Sequence, residues 1–215
     1  MEEAGERNEA VEFLRKAWTS TGRFSHHGKR WHYEDVVIEP SPVQKPHPPL
    51  WIGAHSAPSI RAAAEGGFNL LLGQAGSPEL VAENIGIYRK EVEAQGRSFD
   101  PMSIGLTRAL HIAATPAERE AAHELRMTFM RNVQQLSLSP SGASPTLGRP
   151  RRAMSIEEMR VATETDALIG PPEEIVGRLK RLQGGGVEYV MVIDVGGSLS
   201  ALRTFAREVM PEFAD

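Results

Sequence analysis

Five prolines crowd the segment between Pro40 and Pro49, and an apolar triplet, Leu50 to Ile52, follows them at once. Proline removes a backbone hydrogen-bond donor and restricts the residue before it, so this segment cannot form a helix. We expect an extended arm that leads into a short buried strand. The strand stops at Gly53, and a helix is predicted from about Ala57. The free amides of a helix N-terminus suit an anion such as a phosphate group, so this junction is the first candidate site.

Short apolar segments alternate with helical patterns along the rest of the chain. We predict four strands, each followed by a helix: Leu50 to Ile52, Phe68 to Gly73, Ser103 to Ala113 and Val187 to Asp194. Strands that are apolar on both faces and alternate with helices are typical of a parallel sheet covered by helices. The sequence predicts an α/β fold of about four βα units. These units form either half of an eight-unit barrel or a small open sheet.

Composition narrows the classes of function. A chain of 215 residues fits one domain, and its formal net charge of −4 gives no electrostatic footprint for nucleic acid. The chain has no cysteine, its N-terminus lacks a signal-like apolar region, and no apolar run approaches the roughly 20 residues of a membrane span. We therefore expect a cytoplasmic protein without a membrane or nucleic-acid partner. Residues 137–155, rich in Ser, Pro, Gly and Arg, are predicted to form a flexible loop.

Residues at the ends of the predicted strands are the main candidates for ligand binding. The carboxyl ends of parallel strands meet at one edge, where barrel enzymes place their sites. Serine hydroxyls and amides can bind a phosphate, and a protonated histidine adds charge. The alternative is a capped helix in which Ser56 bonds only its own backbone. The candidate binding residues are Gly53, Ala54, His55, Ser56, Ser59, Gln74 and Arg108.

Charged residues within the strands provide weaker signals. Arg108 and His111 lie three residues apart in the third strand, so their side chains should point to opposite faces of the sheet. A buried arginine is costly unless it is paired, which makes Arg108 a functional candidate. Asp194 ends the fourth strand and either contacts a ligand or, as is more common, caps the following turn.

Other types of site receive little support. His26, His27 and His32 match no metal-ligand spacing, so no metal site is predicted. The chain contains no Gly-x-Ser-x-Gly motif, which removes the usual sequence signal of a serine hydrolase. The basic cluster Arg149 to Arg152 either closes over a cofactor phosphate or is simply solvated.

The segment from Gly28 to Gly53 resembles a signature of the luciferase-like flavin monooxygenases. The family carries the pattern Pro-x-Pro-Val-Gln-x-Pro-His-Pro-Pro-x-Trp-x-Gly-Gly, and this chain follows it from Pro40, with Ala54 at the last glycine. The resemblance continues through Gly170 to Glu174, Gly186 to Val190 and Phe205 to Pro211. It covers nearly the whole chain, whereas the first half of the family's sequence has no counterpart here.

This resemblance implies a fold and an activity. Family members are eight-unit barrels, of which this chain would hold units five to eight, as a single domain over residues 1–215 truncated at its N-terminus. The resemblance implies that Gly53, Ala54, His55 and Ser56 contact the phosphate of FMN, with the deazaflavin coenzyme as the alternative. The implied activity is that of a flavin-dependent oxidoreductase or monooxygenase that acts on a small organic substrate, with a flavin reductase as a potential partner. The family's substrate-activating side chains lie largely in the missing half, so the catalytic residues are unknown.

Two other interpretations remain open. Four strands leave two exposed edges and an unsealed apolar face, which favour self-association. The chain would then be a catalytically silent half-barrel that serves as a binding or oligomerising module. A phosphate-binding α/β module unrelated to flavin is the third interpretation, and it requires the long motif match to be a coincidence.

Overall fold

The computed structural model describes the main chain of residues 2–137, 153–194 and 196–214, and side chains from residue 9 to 136 and in the later two ranges. The chain falls into two compact units, Met1–Leu50 and Trp51–Asp215. The flexible loop predicted at 137–155 lies mostly outside the described residues, and the single domain over 1–215 stays a prediction. No helix in these ranges is long and apolar enough to cross a membrane.

The first unit contains a helix and a polar hairpin. Helix α1 spans Glu2–Thr19, and the antiparallel strands are β1 (Phe24–His27) and β2 (His32–Val36). The Glu9 carboxylate joins helix to hairpin, because it accepts hydrogen bonds from the amides of Arg30 and Trp31 at 2.9–3.1 Å. A side chain at Gly28 would collide with this carboxylate, so the glycine permits the contact.

Helix α1 begins at Glu2, where a run of mostly good helix formers starts. The hairpin was not predicted, since its sequence is rich in polar residues rather than β-branched ones. Its pairing is supported by aromatic packing, with the rings of Phe13 and Tyr33 at a centroid distance of 4.7 Å.

The second unit alternates strands and helices. Its strands are β3 (Trp51–Gly53), β4 (Asn69–Leu72), β5 (Ile104–Ile112), β6 (Leu168–Gly170) and β7 (Tyr189–Asp194). Its helices are α2 (Ala57–Glu65), α3 (Pro78–Ala94), α4 (Pro116–Ser137), α5 (Ile156–Asp166), α6 (Pro172–Gly184) and α7 (Leu199–Thr204). A π-helical turn at Phe205–Val209 and a 3-10 turn at Met210–Phe213 follow.

All strand pairs in this sheet are parallel, which confirms the predicted α/β class. The four predicted strands are adjacent in the order β3, β4, β5, β7. Strand β6 was not predicted, because it has only three residues, Leu-Ile-Gly. A Pro-Pro pair that signals the start of a helix follows it directly. Leu110 pairs with Leu168 of β6 and Asp194 of β7, so β6 and β7 lie on opposite edges of β5. Leu106 pairs with Leu72 and Val190, so β4 and β6 share one edge of β5.

One face of the sheet carries the main hydrophobic core. Side chains that alternate along β4 and β5 are fully buried against helices α2, α3 and α6, where they form one apolar cluster. Large side chains of this cluster that are at most 1% exposed include Ile60, Leu70, Ile104, Leu106, Leu110 and Ile175. The Tyr88 hydroxyl of α3 donates a 2.7 Å hydrogen bond to the carbonyl of Phe68, just before β4, and thereby joins helix to sheet.

The opposite face is concave. Trp51 on β3 and Tyr189 on β7 are separated by two strands, and a flat sheet would place those strands about 14 Å apart. Their rings nevertheless meet at a centroid distance of 6.0 Å. They meet beside Gly105, where an added Cβ would lie 2.9 Å from the Met191 Cε and 3.2 Å from the Leu71 Cδ2. The sheet therefore curls over a position where an added methyl group would push aside the ends of the Met191 and Leu71 side chains.

Substitution at this position tests the curvature. We expect Gly105→Ala to lower the free energy of unfolding by about 1–3 kcal/mol, because the added methyl group overpacks the concave face. The measurement is urea denaturation followed by circular dichroism. The matched control is Gly86→Ala within α3, where an added Cβ meets no atom within 4 Å, and we expect it to be stabilising by about 0.5–1 kcal/mol. A neutral Gly105→Ala substitution would contradict the close approach.

Candidate functional site

The carboxyl ends of the parallel strands meet at one edge of the second unit. We call this edge the rim and define it as residues 53–59 after β3, 73–76 after β4 and 196–198 after β7. Of the seven predicted binding residues, six lie on the rim, and Arg108 lies within β5. The rim is thus the place where the fold brings the candidates together.

The junction between β3 and α2 is built around a helix cap. The Ala54 amide continues the sheet ladder by donating to the Leu71 carbonyl at 3.3 Å. Ser56 is the N-cap of α2 and forms a reciprocal capping box with Ser59, whose hydroxyl lies 2.9 Å from the Ser56 hydroxyl. Pro58 has no amide hydrogen, and the Ile60 amide already donates to the Ser56 carbonyl. The junction therefore offers two hydroxyls and few spare backbone donors to an anion.

His55 connects this junction to the end of the neighbouring strand. Its imidazole lies against Gly73, where an added Cβ would be 2.9 Å from the His55 Cε1. The side chain is exposed, so one face of the ring packs on the rim and the rest is open to a ligand. Gln74 follows directly, and its side-chain oxygen is buried without a hydrogen-bond partner among the described residues. The structure thus places His55, Gly73 and Gln74 side by side.

Arg108 lies on the helix-covered face of β5, in alternation with Leu106 and Leu110. It is 1% exposed, and its guanidinium donates to the carbonyls of Gly73 at 3.1 Å and Gly76 at 2.7 Å. Burial lowers the pKa of this guanidinium. The group therefore holds a rim segment in place and does not face the concave side, where a barrel ligand would lie. Its role as a cofactor contact stays a prediction that this placement does not favour.

Asp166, the last residue of α5, binds the same segment from another side. Its carboxylate accepts a 2.8 Å hydrogen bond from the Gly76 amide. Burial raises the pKa of Asp166, although the Gly76 hydrogen bond and the charges of Arg108 and Arg126 act in the opposite direction. No local pattern singles out Asp166, because it ends a helix far along the chain and belongs to no motif.

Asp194 and His111 are the remaining strand candidates, and His111 points away from Arg108, as the spacing of those two residues predicted. Asp194 caps its own turn, since its carboxylate accepts hydrogen bonds from the amides of Gly196 at 3.0 Å and Ser198 at 2.7 Å. His111 lies on the other face of β5 from Arg108, and its Nδ1 is buried without a hydrogen-bond partner among the described residues. An added Cβ on Gly196 would lie 3.0 Å from the His111 ring, so that ring packs on the rim as His55 does.

Three histidines of the first unit, His26, His27 and His32, lie in the hairpin. His26 lies 3.6 Å from the Glu9 carboxylate and His27 lies 3.5 Å from that of Glu34. Among the side chains that the structure describes, no three histidine, aspartate or glutamate residues gather closely enough to hold a metal ion. The rim therefore presents hydroxyl, imidazole and amide groups, which suit a phosphate or another polar ligand.

Sequence comparison gives a family and two curated relatives. A sequence model described as luciferase-like monooxygenase matches residues 2–189. The chain is 26% identical to the oxygenase component of a flavin-dependent trigonelline monooxygenase from Acinetobacter baylyi, over 99% of this chain and 61% of that protein. It is 25% identical to an FMNH2-dependent dimethylsulfone monooxygenase from Pseudomonas putida, over 94% of this chain and 56% of that protein. The chain thus spans about three fifths of the length of these relatives.

Solved structures show the same fold. Monooxygenase RslO1 from Streptomyces bottropensis has a TM-score of 0.73 at 19% identity, over 96% of this chain and 60% of that one. An F420-dependent secondary alcohol dehydrogenase in complex with an F420-acetone adduct has a TM-score of 0.71 at 15% identity, over 96% of this chain and 61% of that one. At these identities the likeness establishes the fold alone.

The contacts of Arg108 can be tested by a change that keeps its charge. We expect Arg108→Lys to lower the free energy of unfolding by about 1–3 kcal/mol, because one ammonium group cannot reach both carbonyls and leaves a buried acceptor unpaired. Urea denaturation measures the change. Arg61→Lys, at an exposed position of α2, is the control and should stay within about 0.5 kcal/mol of the unmodified protein. Equal stability of both variants would show that the carbonyl contacts contribute nothing.

Proposed function

The chain belongs to the luciferase-like monooxygenase family, and from this we propose that it is the carboxyl-terminal part of a flavin-dependent monooxygenase that acts on a small organic substrate. The observation that carries the proposal is the β3–α2 junction, where two clustered hydroxyls and an exposed imidazole follow directly after the family motif. The names of the two curated relatives, both flavin-dependent monooxygenases, support the same assignment.

We further propose that the second unit is part of an eight-unit barrel. Three observations support this: the sequential order of β3, β4, β5 and β7, the curl that brings Trp51 to Tyr189, and the incomplete span of the relatives. The outer edges of β3 and β7 pair with no strand in the described parts of the chain. The remaining units of the barrel would join those edges and cover the concave face.

The junction would hold the phosphate end of the flavin. Hydroxyls of Ser56 and Ser59 would turn from each other toward the phosphate, because a charge-assisted hydrogen bond is about twice as strong as a neutral one. The main chain of Gly53 and Ala54 allows a close approach, since an added Cβ on Gly53 would meet no atom within 4 Å. His55 would flank the phosphate and add charge when protonated. A bound flavin would supply the redox chemistry, and these residues would hold its phosphate in place.

FMN is the proposed cofactor and the deazaflavin coenzyme is the alternative. The FMNH2-dependent relative favours the former, and the F420-dependent structural neighbour keeps the latter open. A relative named as an oxygenase component also supports a flavin reductase as partner. Gln74, with its unused side-chain oxygen, is a further proposed ligand contact. No residue of this chain is assigned a catalytic role.

A catalytically silent half-barrel is the second candidate. Trp51 and Ile193 on the concave face are 36% and 43% exposed, which favours association with another surface. Such a module would bind a partner or itself through the free edges of β3 and β7. The mass of the chain in solution, measured with and without flavin, separates this candidate from the first.

Titration with FMN and with riboflavin tests the phosphate site. We expect FMN fluorescence to be quenched when FMN binds to the 215-residue chain. Ser56→Ala should weaken the affinity of the chain for FMN about five- to thirtyfold, since one charge-assisted hydrogen bond is lost. Riboflavin lacks the phosphate, so its affinity should change less than about twofold. Flavin fluorescence gives both dissociation constants.

Asp100→Ala is the control, because Asp100 caps the turn Pro101–Ser103, which leads into the amino end of β5, at the opposite edge of the sheet from the rim. This variant should bind FMN as the unmodified chain does. Equal weakening by both alanine variants would show a general loss of stability. Absence of FMN binding by the unmodified chain, together with self-association, would favour the silent half-barrel.

A further inference from the structure

We propose that Asp166 is a positioning residue: it fixes the rim segment Gly73–Gly76 from the end of α5 and thereby sets the place of His55 and Gln74. The step that concerns ligand binding rests on the proposed flavin site. The step that concerns the segment itself rests only on the contacts described above.

The segment lies where the sheet leaves an opening. Strand β4 ends opposite Leu106, and β6 begins opposite Leu110 on the same edge of β5. Between them the edge of β5 pairs with neither strand. The Gly73–Gly76 segment follows β4 directly at this level, so its backbone groups need partners other than a neighbouring strand.

Two side chains supply those partners. Arg108 donates to the carbonyls of Gly73 and Gly76, and Asp166 accepts from the Gly76 amide. Both backbone groups of Gly76 are thus held by charged side chains, one from β5 and one from α5. Gly76 has a φ of +121°, a conformation that glycine adopts readily and other residues rarely do. The contacts therefore fix a residue whose backbone is intrinsically flexible.

A chain of direct contacts leads from Asp166 to the proposed phosphate site. Asp166 binds Gly76, the segment runs back through Gln74 to Gly73, and the His55 ring lies on Gly73. A shift of α5 would move Gly76 and so change the surface on which His55 rests. Arg126 of α4, which is 7% exposed, adds a buried charge close to Asp166. The end of α5 and the rim thus share one polar cluster.

Hydrogen–deuterium exchange of a peptide over residues 73–77 tests the proposal without any flavin. We expect Asp166→Ala to speed exchange there at least about tenfold, as loss of a hydrogen bond to a charged acceptor predicts. Asp166→Asn should restore much of the protection, because its side-chain oxygen accepts the same bond even though the buried guanidinium groups of Arg108 and Arg126 lose their counter-charge. Asp166→Glu, which keeps the charge but displaces the acceptor, serves if the alanine variant does not fold, and we expect an intermediate rate.

Two comparisons decide between positioning and general support. Asp194→Ala removes an equivalent turn cap on the rim, and it should leave exchange at residues 73–77 unchanged. A peptide over residues 104–110 of β5 should exchange at the unmodified rate in every Asp166 variant. Any of three results would overturn the proposal. These are unchanged exchange at residues 73–77 in Asp166→Ala, equal acceleration of exchange in the β5 peptide, and failure of Asp166→Asn to restore protection.

The ligand step has its own measurement. We expect Asp166→Ala to lower the affinity for FMN at least about threefold. The affinity of Asp166→Asn for FMN should be close to that of the unmodified chain. Faster exchange at 73–77 with unchanged FMN affinity would overturn the link to the ligand site. If the unmodified chain binds no FMN, the proposed function fails, and the exchange data still decide the positioning of the segment.

Discussion

The close approach at Gly105 is the constraint on which the second unit depends. Because this position has no side chain, Leu71, Met191 and the ring of Trp51 can converge on it from three strands. The sheet curls as a result, and side chains of β3 and β7 meet across the concave face. This contact lies near the amino ends of the strands, and the rim lies at the carboxyl ends of the same strands, where their parallel pairing brings the candidate site together.

Polar groups at the rim are largely engaged with the chain itself. Ser56 and Ser59 cap α2, Asp194 caps its own turn, and Arg108 and Asp166 hold the Gly73–Gly76 segment. Such contacts stabilise loops that have no strand neighbour. A phosphate at the β3–α2 junction competes only with a capping box, which contributes about 1 kcal/mol. The Arg108 and Asp166 contacts are buried deeper and form the fixed part of the rim.

The sequence predicted the four main strands and offered the cap at Ser56 as one of two alternatives, because apolar segments and cap residues are local signals. The sequence did not predict β6, whose three residues precede two prolines. It also did not predict the hairpin of the first unit, which depends on the contact of Glu9 with Arg30 and Trp31. It also suggested a ligand contact for Arg108, whereas the structure engages that side chain with backbone carbonyls. Asp166 was not foreseen, since its partner Gly76 lies on a distant part of the chain. Contacts of this kind depend on tertiary packing, which local patterns do not encode.

The proposed binding of a flavin phosphate at the β3–α2 junction can be measured residue by residue. Amide chemical shifts of the isotope-labelled chain, recorded during titrations with FMN and with inorganic phosphate, report it. If the junction binds the flavin phosphate, both ligands will shift the amides of residues 54–57 and 59, and FMN will also shift those of residues 73–76. Shifts confined to other parts of the chain, or none with either ligand, would contradict it.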